Sequence, residues 1–126
     1  MKFQEQKIKG VWVVEAETFK DFRGKLYRNF CQNEYTKMGL DASIVQTNIS
    51  ENCKMHTLRG LHYQVKPYEE NKIVTCIKGA IYDVVVDVRP DSETYLEWVS
   101  FELTAEDRLS IYVPKGCAHG YITLKD

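Results

Sequence analysis

The chain has 126 residues, 44% of them apolar and 28% charged, and its 17 basic and 18 acidic side chains leave a net charge of −1. That length and composition fit one domain with a real core and rule out a wholly disordered or collagen-like chain. Without a basic excess, nucleic acid is a poor candidate partner, and no apolar run approaches the ~20 residues that a bilayer-crossing helix needs.

In chain order, the opening stretch Met1-Lys2-Phe3-Gln4-Glu5-Gln6-Lys7 carries charge where a secretory leader would be apolar, so a cytoplasmic location is expected. Runs rich in Val, Ile, Tyr, Phe and Thr then predict strands at Val11–Glu15, Lys25–Phe30, Ile44–Ser50, Leu58–Gln64, Lys72–Ile77, Ala80–Val88, Glu97–Leu103, Leu109–Val113 and Ala118–Leu124. Turn chemistry separates them at Asp21-Phe22-Arg23-Gly24, Lys78-Gly79, Arg89-Pro90-Asp91-Ser92, Thr104-Ala105-Glu106-Asp107 and Pro114-Lys115-Gly116. Helical character is confined to Gln32–Met38, closed by Gly39. With no composition break or repeat, residues 1–126 are expected to form a single all-β domain, a sandwich, barrel or jelly roll with antiparallel neighbours. Cys31, Cys53, Cys76 and Cys117 lie at wide, irregular spacings with no C-x-x-C pair, and are expected to be reduced, partly buried thiols.

Strand periodicity assigns faces. In Leu58–Gln64 a period of two puts Leu58, Gly60, His62 and Gln64 on one side and Arg59, Leu61 and Tyr63 on the other. In the Val-rich run 81–87, Asp83 and Asp87 share a phase with Val85. Carboxylates in such a strand either satisfy backbone donors and nearby cations or line a pocket. Of the three histidines, His62 has the cations Arg59 and Lys72 near it on this and the next strand. A base beside two cations suits an anionic substrate or a developing enolate. His56 has no such company and is read as structural.

The stretch Pro114-Lys115-Gly116-Cys117-Ala118-His119 matches the cupin pattern P-x-G-x-x-H, whereas His62-Tyr63-Gln64 lacks the second histidine of the metal-binding cupin motif. Two histidines with no suitably placed carboxylate make a weak metal shell, and neither a metal nor another cofactor is expected. Asp21-Phe22-Arg23-Gly24, Gln46-Thr47-Asn48-Ile49-Ser50, Leu58-Arg59-Gly60-Leu61-His62-Tyr63-Gln64, Asn71-Lys72-Ile73-Val74, the run from Gly79 to Arg89 and Pro114–Gly120 form an ordered series. That series resembles the dTDP-4-dehydrorhamnose 3,5-epimerases, metal-independent cupins of nucleotide-sugar metabolism.

The resemblance implies a cupin jelly-roll homodimer with an exchanged N-terminal strand, acting on a dTDP-linked 4-keto-6-deoxyhexose in deoxysugar and polysaccharide biosynthesis. It implies His62 as the base that removes a proton beside the ketone and Lys72 as the cation steadying the enolate oxygen. Arg23 and Arg59 correspond to residues that grip the diphosphate, Gln46 and Asn48 to pocket-lining amides, and Asp83 and His119 to polar groups around the sugar. Asn48 and Asp83 also fit a purely structural role as strand-end hydrogen-bonders.

Two departures stand out. The family's tyrosine acid and the carboxylate that orients its catalytic histidine lie further toward the C-terminus than Asp126, so a shortened form, or a short relative with altered chemistry, is expected. Arg28 stands where the family has a glutamate, which leaves thymidine or guanosine open as the nucleoside. A catalytically silent sugar-nucleotide binder and a metal-dependent cupin are the competing readings.

Overall fold

A computed structural model describes residues 1–126. The strands are β1 (Lys2–Glu5), β2 (Trp12–Glu15), β3 (Thr18–Asp21), β4 (Gly24–Tyr27), β5 (Leu58–His62), β6 (Lys72–Thr75), β7 (Ala80–Asp87), β8 (Trp98–Thr104), β9 (Leu109–Val113) and β10 (Cys117–Thr123), with one short helix, α1 (Gln32–Lys37). Two antiparallel four-stranded sheets, ordered β1-β2-β9-β6 and β5-β10-β7-β8, carry the fold, and β3-β4 projects as a separate hairpin closed by Phe22 and Arg23. No helix is long and apolar enough to cross a membrane.

The two sheets pack face to face because their inward positions are apolar. Val11, Cys76, Ile111 and Val113, in or beside the first sheet, meet Ile81, Val85, Leu103 and Cys117 of the second in one core cluster. The outer face of the first sheet is also covered. Val14 and Tyr112 point away from the main core and pack with Tyr35 of α1 and Ala42, so β9 is buried on both sides. At six residues α1 cannot sustain itself, and tertiary packing holds it there. Tyr35 is buried against Phe3 and Phe30, while Glu34 takes the N-terminal ammonium at 3.0 Å and Arg28 at 3.1 Å.

Register fixes which side chains look into the space between the sheets. β7 alternates cleanly, with Ile81, Asp83, Val85 and Asp87 buried. On β10 their partners are Thr123, Tyr121, His119 and Cys117, which therefore share that inward face. Lys72, paired with the core residue Val113, faces inward from the opposite sheet.

Asp87 closes the end of β7. Its carboxylate accepts from Arg89 Nε at 2.9 Å and from Thr94 Oγ1 at 2.6 Å, and also takes Ser92 Oγ and the Arg89 backbone amide. Arg89 Nη2 also reaches the Lys9 carbonyl at 2.7 Å, tying the 88–97 connection to the N-terminal segment.

Four expectations change. Residues 44–50, apolar enough to read as a strand, form no ladder within the chain. The β3-β4 hairpin is fully exposed, and its first strand, like β1, was too polar to stand out. The expected strand 25–30 ends at Tyr27, before the turn into α1. All four cysteines are unpaired, with Cys76 and Cys117 buried and Cys53, against expectation, exposed.

Candidate active site

The face shared by β5, β10 and β7 gathers the chemistry. On β5 the expected strict alternation fails. His62 pairs with His119 and Arg59 with Tyr121, so the two residues between them on β5, Gly60 and Leu61, lie opposite the single residue Gly120. This bulge shifts the phase by one. Arg59 and His62 therefore share the inward face, a correction to the assignment that put them on opposite sides.

Glycine makes that bulge possible. Gly60 sits at φ +100°, and a Cβ on it would lie 2.7 Å from the Gly120 Cα and 2.8 Å from the His119 carbonyl oxygen. A Cβ on Gly120 would lie 2.8 Å from the Arg59 carbonyl oxygen. Two backbones meet where neither tolerates a side chain.

Deepest on this face is Asp83, with a fully buried side chain whose carboxylate lies 3.0 and 3.1 Å from His119 Nδ1. Burial raises the Asp83 pKa above the ordinary carboxylate value, against the hydrogen bond and charge of His119, which lower it. With Nδ1 turned to the carboxylate, His119 has Nε2 left for a ligand. Asp87, four residues on, goes the other way. Burial raises its pKa, but the donors Arg89, Ser92 and Thr94 together outweigh burial and hold it well below the usual range. Of this strand's two acids, Asp87 is thus tied up in structural contacts, while Asp83 holds only His119.

His62 and Arg59 lie on β5, the outer strand of its sheet, and both are exposed. Arg59 Nε donates to Asn52 Oδ1 at 2.7 Å. Lys72 sits 3.4 Å from Glu70 Oε1.

Other expected residues stand apart from this cluster. Arg23 is at the tip of the β3-β4 hairpin, forked onto Asp21 at 2.6 and 3.1 Å. Gln46 and Asn48 lie in the irregular, exposed stretch before β5. The same stretch supplies residues the sequence reading passed over. Ser50 Oγ lies 2.7 Å from the Tyr121 hydroxyl, and Asn52 Nδ2 donates to that hydroxyl at 3.2 Å. Nothing in the sequence marks Ser50 and Asn52, because their contacts with Tyr121 form only when this stretch folds back onto β10.

Comparison with known proteins places the chain in a family. The family model for dTDP-4-dehydrorhamnose 3,5-epimerase matches residues 5–126. A dTDP-4-dehydrorhamnose 3,5-epimerase of Sinorhizobium fredii is 42% identical over 125 residues, covering 99% of this chain and 64% of the relative. The Escherichia coli enzyme is 40% identical over 120 residues, covering 94% and 64%. The chain thus spans about 64% of the length of these curated relatives. The crystal structure of the Bacillus anthracis dTDP-4-dehydrorhamnose 3,5-epimerase, with TDP and PPi bound, superposes with a TM-score of 0.95 at 36% identity, covering 98% of this chain and 71% of that one. A Legionella pneumophila epimerase in complex with dTDP-4-keto-L-rhamnose gives 0.83 at 30% identity, covering 98% and 65%. These neighbours place the two-sheet architecture among the cupin jelly rolls.

Proposed function

The chain belongs to the dTDP-4-dehydrorhamnose 3,5-epimerase family, and from that premise we propose that it acts as a nucleotide-sugar epimerase, inverting C3, C5 or both in dTDP-4-keto-6-deoxyglucose. The observation that carries the reading is the bulge at Gly60, which turns Arg59 and His62 onto the face that already holds His119 and Asp83.

Hydrogens beside a ketone are acidic because the carbanion spreads onto the carbonyl oxygen as an enolate. In this proposal His62 takes the proton, becoming an imidazolium. Lys72, inward from the facing sheet, holds the charge that develops on the oxygen. His119, fixed by Asp83, offers Nε2 to the sugar, and Arg59 takes the diphosphate with its guanidinium. Gln46 and Asn48 line the approach, and Arg23 serves the nucleotide from the hairpin tip. The proton donor on the opposite face of the ring is assigned to no residue within 1–126.

We assign the same chain a homodimeric state and a cytoplasmic location. Support for the dimer comes from apolar side chains left in the open: Phe22 at the hairpin tip is 97% exposed and Val45 is 95% exposed. Residues 44–50 also carry strand-type composition with no ladder partner in their own chain.

Incubation with dTDP-4-keto-6-deoxyglucose in heavy water tests the activity. The epimerase reading expects deuterium at C3 or C5 by NMR, undiminished by a chelator. Binding of dTDP with no label at either carbon makes the chain a silent binder instead, and exchange that a chelator abolishes favours a metal-dependent cupin.

A further inference from the structure

We propose that Asn52 is a positioning residue for Arg59, locking its guanidinium so that the two η nitrogens face a nucleoside diphosphate together. The inference rests on the reading of Arg59 as the diphosphate-binding residue.

Hydrogen-bond chemistry sets the orientation of the Asn52 amide. Arg59 Nε can only donate, so the Asn52 atom 2.7 Å away is the carbonyl oxygen. The amide nitrogen then donates to the Tyr121 hydroxyl at 3.2 Å, and that hydroxyl also shares a hydrogen bond of 2.7 Å with Ser50 Oγ, in which either oxygen can donate. Tyr121 is also the cross-strand partner of Arg59 on β10. Four polar groups from three segments thus hold one another, ending on the cation.

The loop carrying Asn52 is itself pinned. The Thr57 amide donates to Thr123 Oγ1 at 2.8 Å, the Thr123 amide to the Thr57 carbonyl at 3.0 Å, and the His56 amide to the Thr123 carbonyl at 2.8 Å. Thr123 Oγ1 and Thr57 Oγ1 both donate to the Lys54 carbonyl, at 2.8 and 2.7 Å. Thr123 is buried, so this anchor is shielded from water. With Nε occupied, rotation of the guanidinium plane is stopped, and Nη1 and Nη2, which take no partner within the chain, present a preset fork for two phosphate oxygens. Pre-organisation of this kind removes an ordering cost from binding.

The test is calorimetric titration of dTDP into the 126-residue chain and its variants, with circular dichroism as the check on folding. Asn52→Ala should weaken dTDP about tenfold and Arg59→Ala about a hundredfold, with the double variant matching Arg59→Ala within about twofold. Tyr121→Phe, which keeps the packing and removes only the hydroxyl, should weaken binding about threefold in the presence of Arg59 and not at all in the Arg59→Ala background. Additive losses in the double variants, or wild-type affinity in Asn52→Ala beside a weakened Arg59→Ala, overturn the inference and leave the site reading standing. Wild-type affinity in Arg59→Ala overturns both.

Discussion

Asp83 and Asp87 occupy the same strand and the same face, four residues apart, yet their surroundings give them opposite tendencies. Asp87 collects a guanidinium and two hydroxyls, whereas Asp83 has one imidazole and no access to water. A carboxylate whose folded-state pKa lies above its ordinary value of 3.8 contributes most to stability below that pH and loses the contribution as pH rises through the raised value. Asp83→Asn removes the cost of ionisation and keeps an oxygen that can accept from His119 Nδ1. The variant should therefore unfold at a higher temperature than wild type at pH 7, with the gap closing below about pH 4. Thermal unfolding by circular dichroism checks this, and equal midpoints at pH 7 contradict it. The cost to the wild-type chain is the kind a functional site carries.

At the level of the strands, the meeting of β5 and β10 decides whether there is a site at all. Gly60→Ala places a Cβ against the Gly120 backbone at a φ that side-chain-bearing residues avoid, so it should cost about 3 kcal/mol in denaturant unfolding. It should also weaken dTDP binding as Arg59 and His62 lose their common face, and wild-type stability with wild-type dTDP affinity would show that the bulge does not hold the site. A period-two reading of the sequence could not find this bulge, because one extra residue inverts every later side chain and nothing in R-G-L-H-Y announces the phase change except a glycine. Elements with strong alternation or clear turn chemistry were legible, among them β7, β9, β10 and the two-residue hairpin turn at Phe22-Arg23. β1 and β3 escaped because each has one large apolar residue among polar ones and owes its strand geometry to a neighbour. The candidate residues on β5, β6, β7 and β10 are proposed through resemblance to a family, whereas Asn52 has no such signal, since its place beside Arg59 appears only when the loop folds back onto β10.

For the molecule as a whole, the exposed apolar residues of the hairpin and of the 44–50 stretch argue for a second copy. Sedimentation equilibrium should give about twice the 14.7 kDa chain mass, and Val45→Glu should shift the population toward monomer by placing a charge where apolar surface is buried. A wild-type monomer at high micromolar concentration contradicts the dimer. The two facing sheets, meanwhile, give the proposed chemistry its geometry: the base on one, the enolate-stabilising ammonium on the other, and the diphosphate-binding arginine beside the base. That division of labour is most directly tested by deuterium incorporation in His62→Ala. With dTDP-4-keto-6-deoxyglucose in heavy water, the variant should bind dTDP with near wild-type affinity and incorporate no deuterium at C3 or C5. Incorporation at the wild-type rate would contradict the assignment of His62 as the base.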